Sequence, residues 1–308
     1  MVIINSQNAM LVNRLWGFSS FIANSIEYDY PLVNLGFYRY KDYFEATKIN
    51  DFGKFPISIK RWGIPLLDYF YSNLFKNWSS ITYRKFGKTP VLHKFYRTTF
   101  SEDKTSTIFD LNKKEFINDA RTRKILVQGW MFRDSVNVRK HRDLICSFFK
   151  PVEPYFSEIK HEIAEAKKLA NILIGVHIRR GDYATFVGGK WFYSDEQYAK
   201  MMHQIANEYK LIGLSCAFFI SSNEEINVAK FDGLTLANKA RNFIVDLYSL
   251  SECDAIIGPP STFSQWAAFY GDKPLTMILS PNQNLGIPKY NNAFVADEDF
   301  PEKNLYTF

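Results

Sequence analysis

Three side chains suited to holding an anion leave the chain within four positions: His177, Arg179 and Arg180 in HIRRGD, with Asp182 one residue past Gly181. Guanidinium forks match phosphate oxygens in bidentate geometry, and a carboxylate such as Asp182 can orient one of them. The apolar residues Ile172, Leu173, Ile174 and Val176 precede them and lead to a glycine-bearing turn. That is the pattern of a buried parallel strand delivering its last residues to a site. Faces alternate along a strand, so His177 and Arg179 should point the same way, while Arg180 points opposite or lies on the turn. A surface arginine pair salt-bridged to Asp182 is the competing reading, and it suits a strand this apolar poorly.

A second constellation lies in DLYSLSECDAIIGPPSTFSQWAAF. AIIGPP reads as a strand and STFSQWAAFYG as a helix closed by Gly271. Ser261 to Ser264 then sit at a helix N-terminus, where free N–H groups and the positive dipole end attract phosphate, and the hydroxyls of Ser261, Thr262 and Ser264 add donors. Asp246 is acceptor-only when ionised, which suits the N1 and N2 donors of guanine. Ser261 as a plain N-cap, and Asp246 as the cap of a following helix, are the alternatives. Asp297, Glu298 and Asp299 spell a D-x-D that could hold a metal against a diphosphate. It stands in DEDFPEK beyond the last expected strand, and we read it as an acidic terminal turn.

HIRRGD resembles the H-x-R-R-x-D motif of α-1,2-fucosyltransferases (glycosyltransferase family 11), shared in variant form with α-1,6- and protein O-fucosyltransferases. The segment from Asp246 to STFS resembles the same family's C-terminal motif, in which an aspartate opens and an S-T-F-S element closes. The resemblance implies a GT-B fold of two facing Rossmann-like domains with parallel sheets, GDP-fucose as donor and no metal. It implies that Arg179 is the critical contact to the donor pyrophosphate, with His177, Arg180 and Asp182 supporting. Ser261, Thr262, Phe263 and Ser264 would lie at the phosphates, and Asp246 would select GDP over UDP. In NRLWGF, Asn13 falls where the family has an asparagine ending a glycine-rich loop; the glycines are absent here, so a donor contact and an ordinary cap or surface amide both stay open. Gln265 in place of a frequent tryptophan, with Pro259 and Pro260 before the serine, bears on acceptor and linkage.

The implied activity is a single inverting displacement that moves fucose to a hydroxyl of a glycan acceptor, α-1,2 to galactose. A transferase using another GDP-sugar or a protein acceptor, and a non-catalytic nucleotide- or glycan-binding protein, are the other readings. Asp134 is the one N-terminal carboxylate considered as a base.

The elements that must position these groups follow from length and pattern. With 308 residues, 46% hydrophobic and 17% aromatic, there is material for two medium cores. Pro151 and Pro154 mark a boundary, giving an acceptor-side Rossmann-like domain over 1–150 and a GDP-fucose-binding one over 151–308. The opening reads as βαβ: VII, a helix from Ala9 to Glu27 with Leu11, Leu15, Phe18, Ile22 and Ile26 on one face, then PLVNLGF. WGIPLLDYFYSNLF is expected to be helical and to cover the first sheet. ILVQGWMF reads as a strand, and SVNVRKHRDLICSFF as one helix capped by Ser135 that buries Val136, Leu144 and Phe148. In the second half a capping box joins Ser194 to Gln197. CAFFISS, LTLAN, part of NFIVDLYSLSECD and PLTMIL are expected strands, and SNEE should open a helix.

A net charge of +6 and a pI near 9.0 fit an anionic ligand or an acidic membrane edge; without a compact basic run, nucleic acid is a weak option. Three scattered cysteines with no C-x-x-C pair suit a reducing compartment and neither a disulfide framework nor a zinc site. No segment reads as a signal peptide or approaches ~20 apolar residues, so a cytoplasmic protein of carbohydrate metabolism is expected.

Overall fold

Short β-branched runs bounded by polar turns form the strands in both halves of the chain, and amphipathic stretches form the helices between them. The computed structural model describes residues 1–5, 10–61, 97–100, 109–128, 132–237 and 242–288. WGIPLLDYFYSNLF and the D-x-D lie outside them. Contacts divide the chain into one unit over Met1–Val152 and another up to Thr307 that starts at Glu153.

In unit 1 the chain runs β1 (Val2–Ile4), α1 (Leu11–Tyr28), β2 (Leu32–Asn34), α2 (Glu45–Ile49), β3 (Ile57–Ile59), β4 (Arg97–Phe100) and β5 (Phe109–Asp110). It continues through α3 (Lys114–Thr122), β6 (Ile125–Gln128), β7 (Phe132–Arg133), α4 (Ser135–Lys140) and α5 (Arg142–Phe148). The sheet order is β3-β2-β1-β6-β4, all parallel, with β5 and β7 as a separate parallel pair. Helix α1 buries Leu11, Leu15, Phe18 and Ile22. Phe18 packs on Phe37, Phe52 and Phe149, each ring worth about 1.5–3 kcal/mol when fully buried.

The stretch expected as one helix after β7 breaks at His141 into α4 and α5. Asp134, not Ser135, caps it by accepting from the Asn137 N–H, because its carboxylate reaches the third amide where a serine one position later sits inside the first turn. Val136 is 70% exposed, and the buried positions are Val138, Ile145 and Phe148.

Unit 2 runs α6 (Tyr155–Ala166), β8 (Ile172–Ile178), α7 (Asp195–Leu211), β9 (Cys216–Ser222), β10 (Thr235–Leu236), α8 (Phe243–Glu252), β11 (Ala255–Gly258), α9 (Thr262–Gly271) and β12 (Leu275–Met277). Its sheet order is β10-β9-β8-β11-β12, again all parallel. Successive strands build outward from β8 on one side, and then the chain crosses to β11 on the other. The β8/β11 junction is therefore the topological switch point, where open α/β sheets hold ligands at the strand carboxyl ends. The capping box forms at Ser194 and Gln197, and Met201, Ile205 and Tyr209 are buried on one face of α7. Two expectations fail. NFIV is the first turn of α8, capped by Asn242, and SNEE opens no helix, the next turn being a short 3-10 segment at Val228–Phe231. Asp272, in the left-handed region at φ 52, closes α9. Among the described residues no helix is long and apolar enough to cross a membrane.

Candidate active site

The two motifs meet at that switch point. His177 is 3% exposed on β8, paired in register with Ser221 of β9. Its ring stacks on Phe263, in the first turn of α9, with centroids 4.9 Å apart. β11 passes so close that a Cβ on Gly258 would lie 3.0 Å from the His177 Cβ and carbonyl oxygen. Gly258 is thus a packing requirement, and it lets the α9 N-terminus sit against β8. Burial first, and then the charge of Arg179, lower the His177 pKa to about 3. The imidazole is therefore neutral at ordinary pH and acts only through hydrogen bonds; its Nδ1 is buried with no partner among the described residues.

The adjacent arginines diverge. Arg180 is 7% exposed. It donates to the Tyr193 carbonyl and pairs with Asp195 at the start of α7, while Phe192 and Tyr198 flank its guanidinium at 5.2 and 5.9 Å. Its own N–H is held by Asn223 Oδ1 at 2.7 Å, which ties the turn after β8 to the turn after β9. Gly181 follows at φ 62, with Asn223 packed beside it. Arg179 keeps 31% of its side chain exposed, pairs with Asp182 at 2.8 Å and lies 5.6 Å over the Tyr183 ring. Tyr183 donates to the Pro260 carbonyl just before α9. The exposed guanidinium is thereby fixed through its flanking residues to both the β9 turn and the α9 N-terminus.

At α9, Ser261 is the N-cap, accepting from the Phe263 N–H at 3.3 Å. Ser264 is fully buried and donates back to the Ser261 carbonyl. The Ser264 hydroxyl is therefore committed as a donor, whereas Ser261 only accepts and keeps its O–H for an anion at the helix N-terminus, with Thr262 and Phe263 half-buried beside it. Asp246 sits in the first turn of α8 and is 8% exposed; it accepts from Ser221 at 3.2 Å. His177, Ser221, Asp246 and Phe263 thus form one contiguous group. Asn13 lies in unit 1, near the start of α1, where it lines a recess described below.

Asn223, Tyr183, Tyr193 and Asp195 were not foreseen. Asp195 reads in sequence as an acidic first-turn residue, and nothing local signals a partner 15 positions earlier. Asp134 is buried and accepts from Asn24, Asn112 and Asn137, which leaves it no role as a base. That pattern makes it a structural hub of unit 1.

Residues 156–298 match the model of glycosyl transferase family 11. No curated protein sequence matches the chain. Among solved structures it is similar to a mutant Arabidopsis thaliana FUT1 in complex with GDP, at TM-score 0.55 and 12% identity, covering 92% of this chain and 71% of that one. It is similar to NodZ α-1,6-fucosyltransferase soaked with GDP-fucose, at TM-score 0.53 and 15% identity, covering 90% and 94%. A third similar structure is POFUT1 in complex with GDP-fucose, at TM-score 0.52 and 12% identity, covering 93% and 97%. At these identities the likeness is one of fold, and the paired parallel-sheet units are of the GT-B class.

Proposed function

We propose that the protein is a family 11 glycosyltransferase, the family whose model matches residues 156–298, and that it transfers L-fucose from GDP-fucose to a glycan hydroxyl, without a metal and with inversion. The observation that carries this is the divided arginine pair. Arg180 is consumed by its own unit, whereas Arg179 stays 31% exposed past the carboxyl end of β8, over the ring of Tyr183, which donates to the Pro260 carbonyl ahead of α9. A guanidinium and a helix N-terminus at a switch point are what a departing diphosphate needs.

In this reading Arg179 and the positive dipole end of α9 hold the diphosphate. Asp246, oriented by Ser221, accepts from the guanine N1 and N2 donors. His177, neutral and stacked on Phe263, fixes the first turn of α9 and offers one hydrogen bond. Arg180, Asp182, Ser261 and Ser264 position these groups. The acceptor hydroxyl oxygen forms a bond to the anomeric carbon of fucose as the bond from that carbon to the β-phosphate oxygen breaks. The electron pair leaves with GDP, the configuration inverts, and the hydroxyl proton passes to a base. Charge growing on the β-phosphate is met by Arg179, each charge-assisted hydrogen bond contributing about 1.5–3 kcal/mol. The family motif supports α-1,2 transfer to galactose.

The test is GDP release from GDP-fucose with galactose-terminated acceptors and EDTA present. The native chain is expected to release GDP only with acceptor, and Arg179→Ala to lose on the order of a hundredfold or more in kcat/KM. Acceptor-dependent release that EDTA abolishes would sink the metal-free reading, and failure of the native chain to bind GDP would sink the donor assignment.

A further inference from the structure

A recess of about 340 Å³, including the space open to solvent, lies in unit 1 at the carboxyl ends of β1 and β2. Its floor is apolar, from Ile4, Phe18, Phe37 and Phe132, and its polar wall is Asn13, Arg14 and Asn34. The Asn13 Oδ1 is excluded from solvent and has no partner among the described residues. Arg14 is 8% exposed, donates to the Gly36 carbonyl and lies 5.2 Å over the Tyr40 ring. A second guanidinium, Arg39, sits over the same ring at 5.8 Å, is exposed, and has no ion pair among the described residues. Burial above all, and also Arg39, lower the pKa of Arg14, against the opposing pull of Tyr40. Two like charges on one ring carry a standing repulsion that a bound anion would relieve.

The rim continues the same chemistry. Arg61 and Lys41 face Tyr38 at 5.2 and 5.5 Å, and Lys60 is tied by its backbone to Asn34 at 3.2 Å. Lys41 pairs with Asp42, and from Gly36 to Arg61 there are six basic residues against three acidic ones. Tyrosine rings and amides beside a small apolar floor suit the faces and hydroxyls of a sugar. The excess of arginine and lysine suits a negative group on it. A flat anionic membrane would use the rim and leave the recess without purpose.

We propose that this recess and its basic, tyrosine-faced rim bind an acidic glycan, one carrying a carboxylate or phosphate; this rests on the transferase reading above and narrows its acceptor. The test offers the GDP-loaded, full-length chain an array in which neutral galactose-terminated glycans stand beside counterparts bearing a uronate or a phosphate. Retention is expected on acidic members, to fall as salt is raised, and to drop about tenfold in Arg39→Gln and in Lys60→Gln. Whichever of uronate and phosphate is retained identifies the anion. Three outcomes overturn the proposal: no preference for acidic members, including no retention at all; retention unchanged in both variants; or capture only by phosphatidylserine vesicles. GDP affinity measured on the same samples separates the two readings. A native chain that binds no GDP refutes the donor assignment, while a fall in GDP affinity in Arg39→Gln places that arginine on the donor and overturns the acceptor proposal.

Discussion

Two adjacent guanidiniums of the same motif do different work because one is buried against Asp195 and the other keeps 31% of its side chain exposed. Breaking the Arg180–Asp195 pair strands a largely buried charge, so Arg180→Ala and Asp195→Asn should each lower stability by about 3 kcal/mol in denaturant titration. Arg179→Ala, at a position 31% exposed, should leave the unfolding midpoint nearly unchanged while removing activity. His177 adds a pH dependence. Folded, it resists protonation down to about pH 3, whereas the unfolded chain takes up the proton near 6.5. Between those values only the unfolded state is protonated, so stability falls as pH drops, by about 1.4 kcal/mol per unit for this one group. His177→Gln should flatten that slope between pH 4 and 6, as read from midpoints across the range; an unchanged slope would show that the imidazole is not held neutral.

At the scale of elements, the site depends on how closely β11 and α9 approach β8. Gly258→Ala places a methyl 3.0 Å from His177, which should cost about 1–3 kcal/mol and weaken GDP binding by displacing the first turn of α9. Isothermal titration would read the second effect, and unaltered affinity would show that the approach is slack. Ser261→Ala should cost about 1 kcal/mol through loss of the cap. The turn from Gly181 to Lys190 holds a β-branched residue, Val187, at φ 48. Strain of that kind costs on the order of 1–3 kcal/mol and persists only where neighbours enforce it; here Phe186 packs at a tilt against Tyr183 and Trp191. Val187→Gly is expected to raise the melting temperature while loosening the loop whose Asp182 and Tyr183 hold Arg179, seen as a higher KM for GDP-fucose.

For the molecule as a whole, each unit has its own parallel sheet and its own core. Calorimetry should resolve two transitions, and GDP should shift the one belonging to unit 2, by about 2.7 kcal/mol at a hundredfold excess over its Kd. An equal shift of both would show that the units unfold together.

Much of this was legible in the chain alone. The apolar run before HIRRGD, the Ser194 capping box, the α1 stripe and the alternation of strands with helices follow from local periodicity and backbone chemistry, which act over a few residues and are written in the order of side chains. Family likeness likewise needs only order and spacing. What local chemistry could not contain are the contacts between residues distant in sequence: Asp195 taking Arg180, Asn223 clamping the turn, Ser221 orienting Asp246, and the unit 1 recess with its arginines gathered on Tyr40. Those depend on strand order and register, because a parallel sheet sets side by side segments that are tens of residues apart. Sequence thus determined which groups could handle an anion, and only the tertiary structure decided which of them is left exposed to do so.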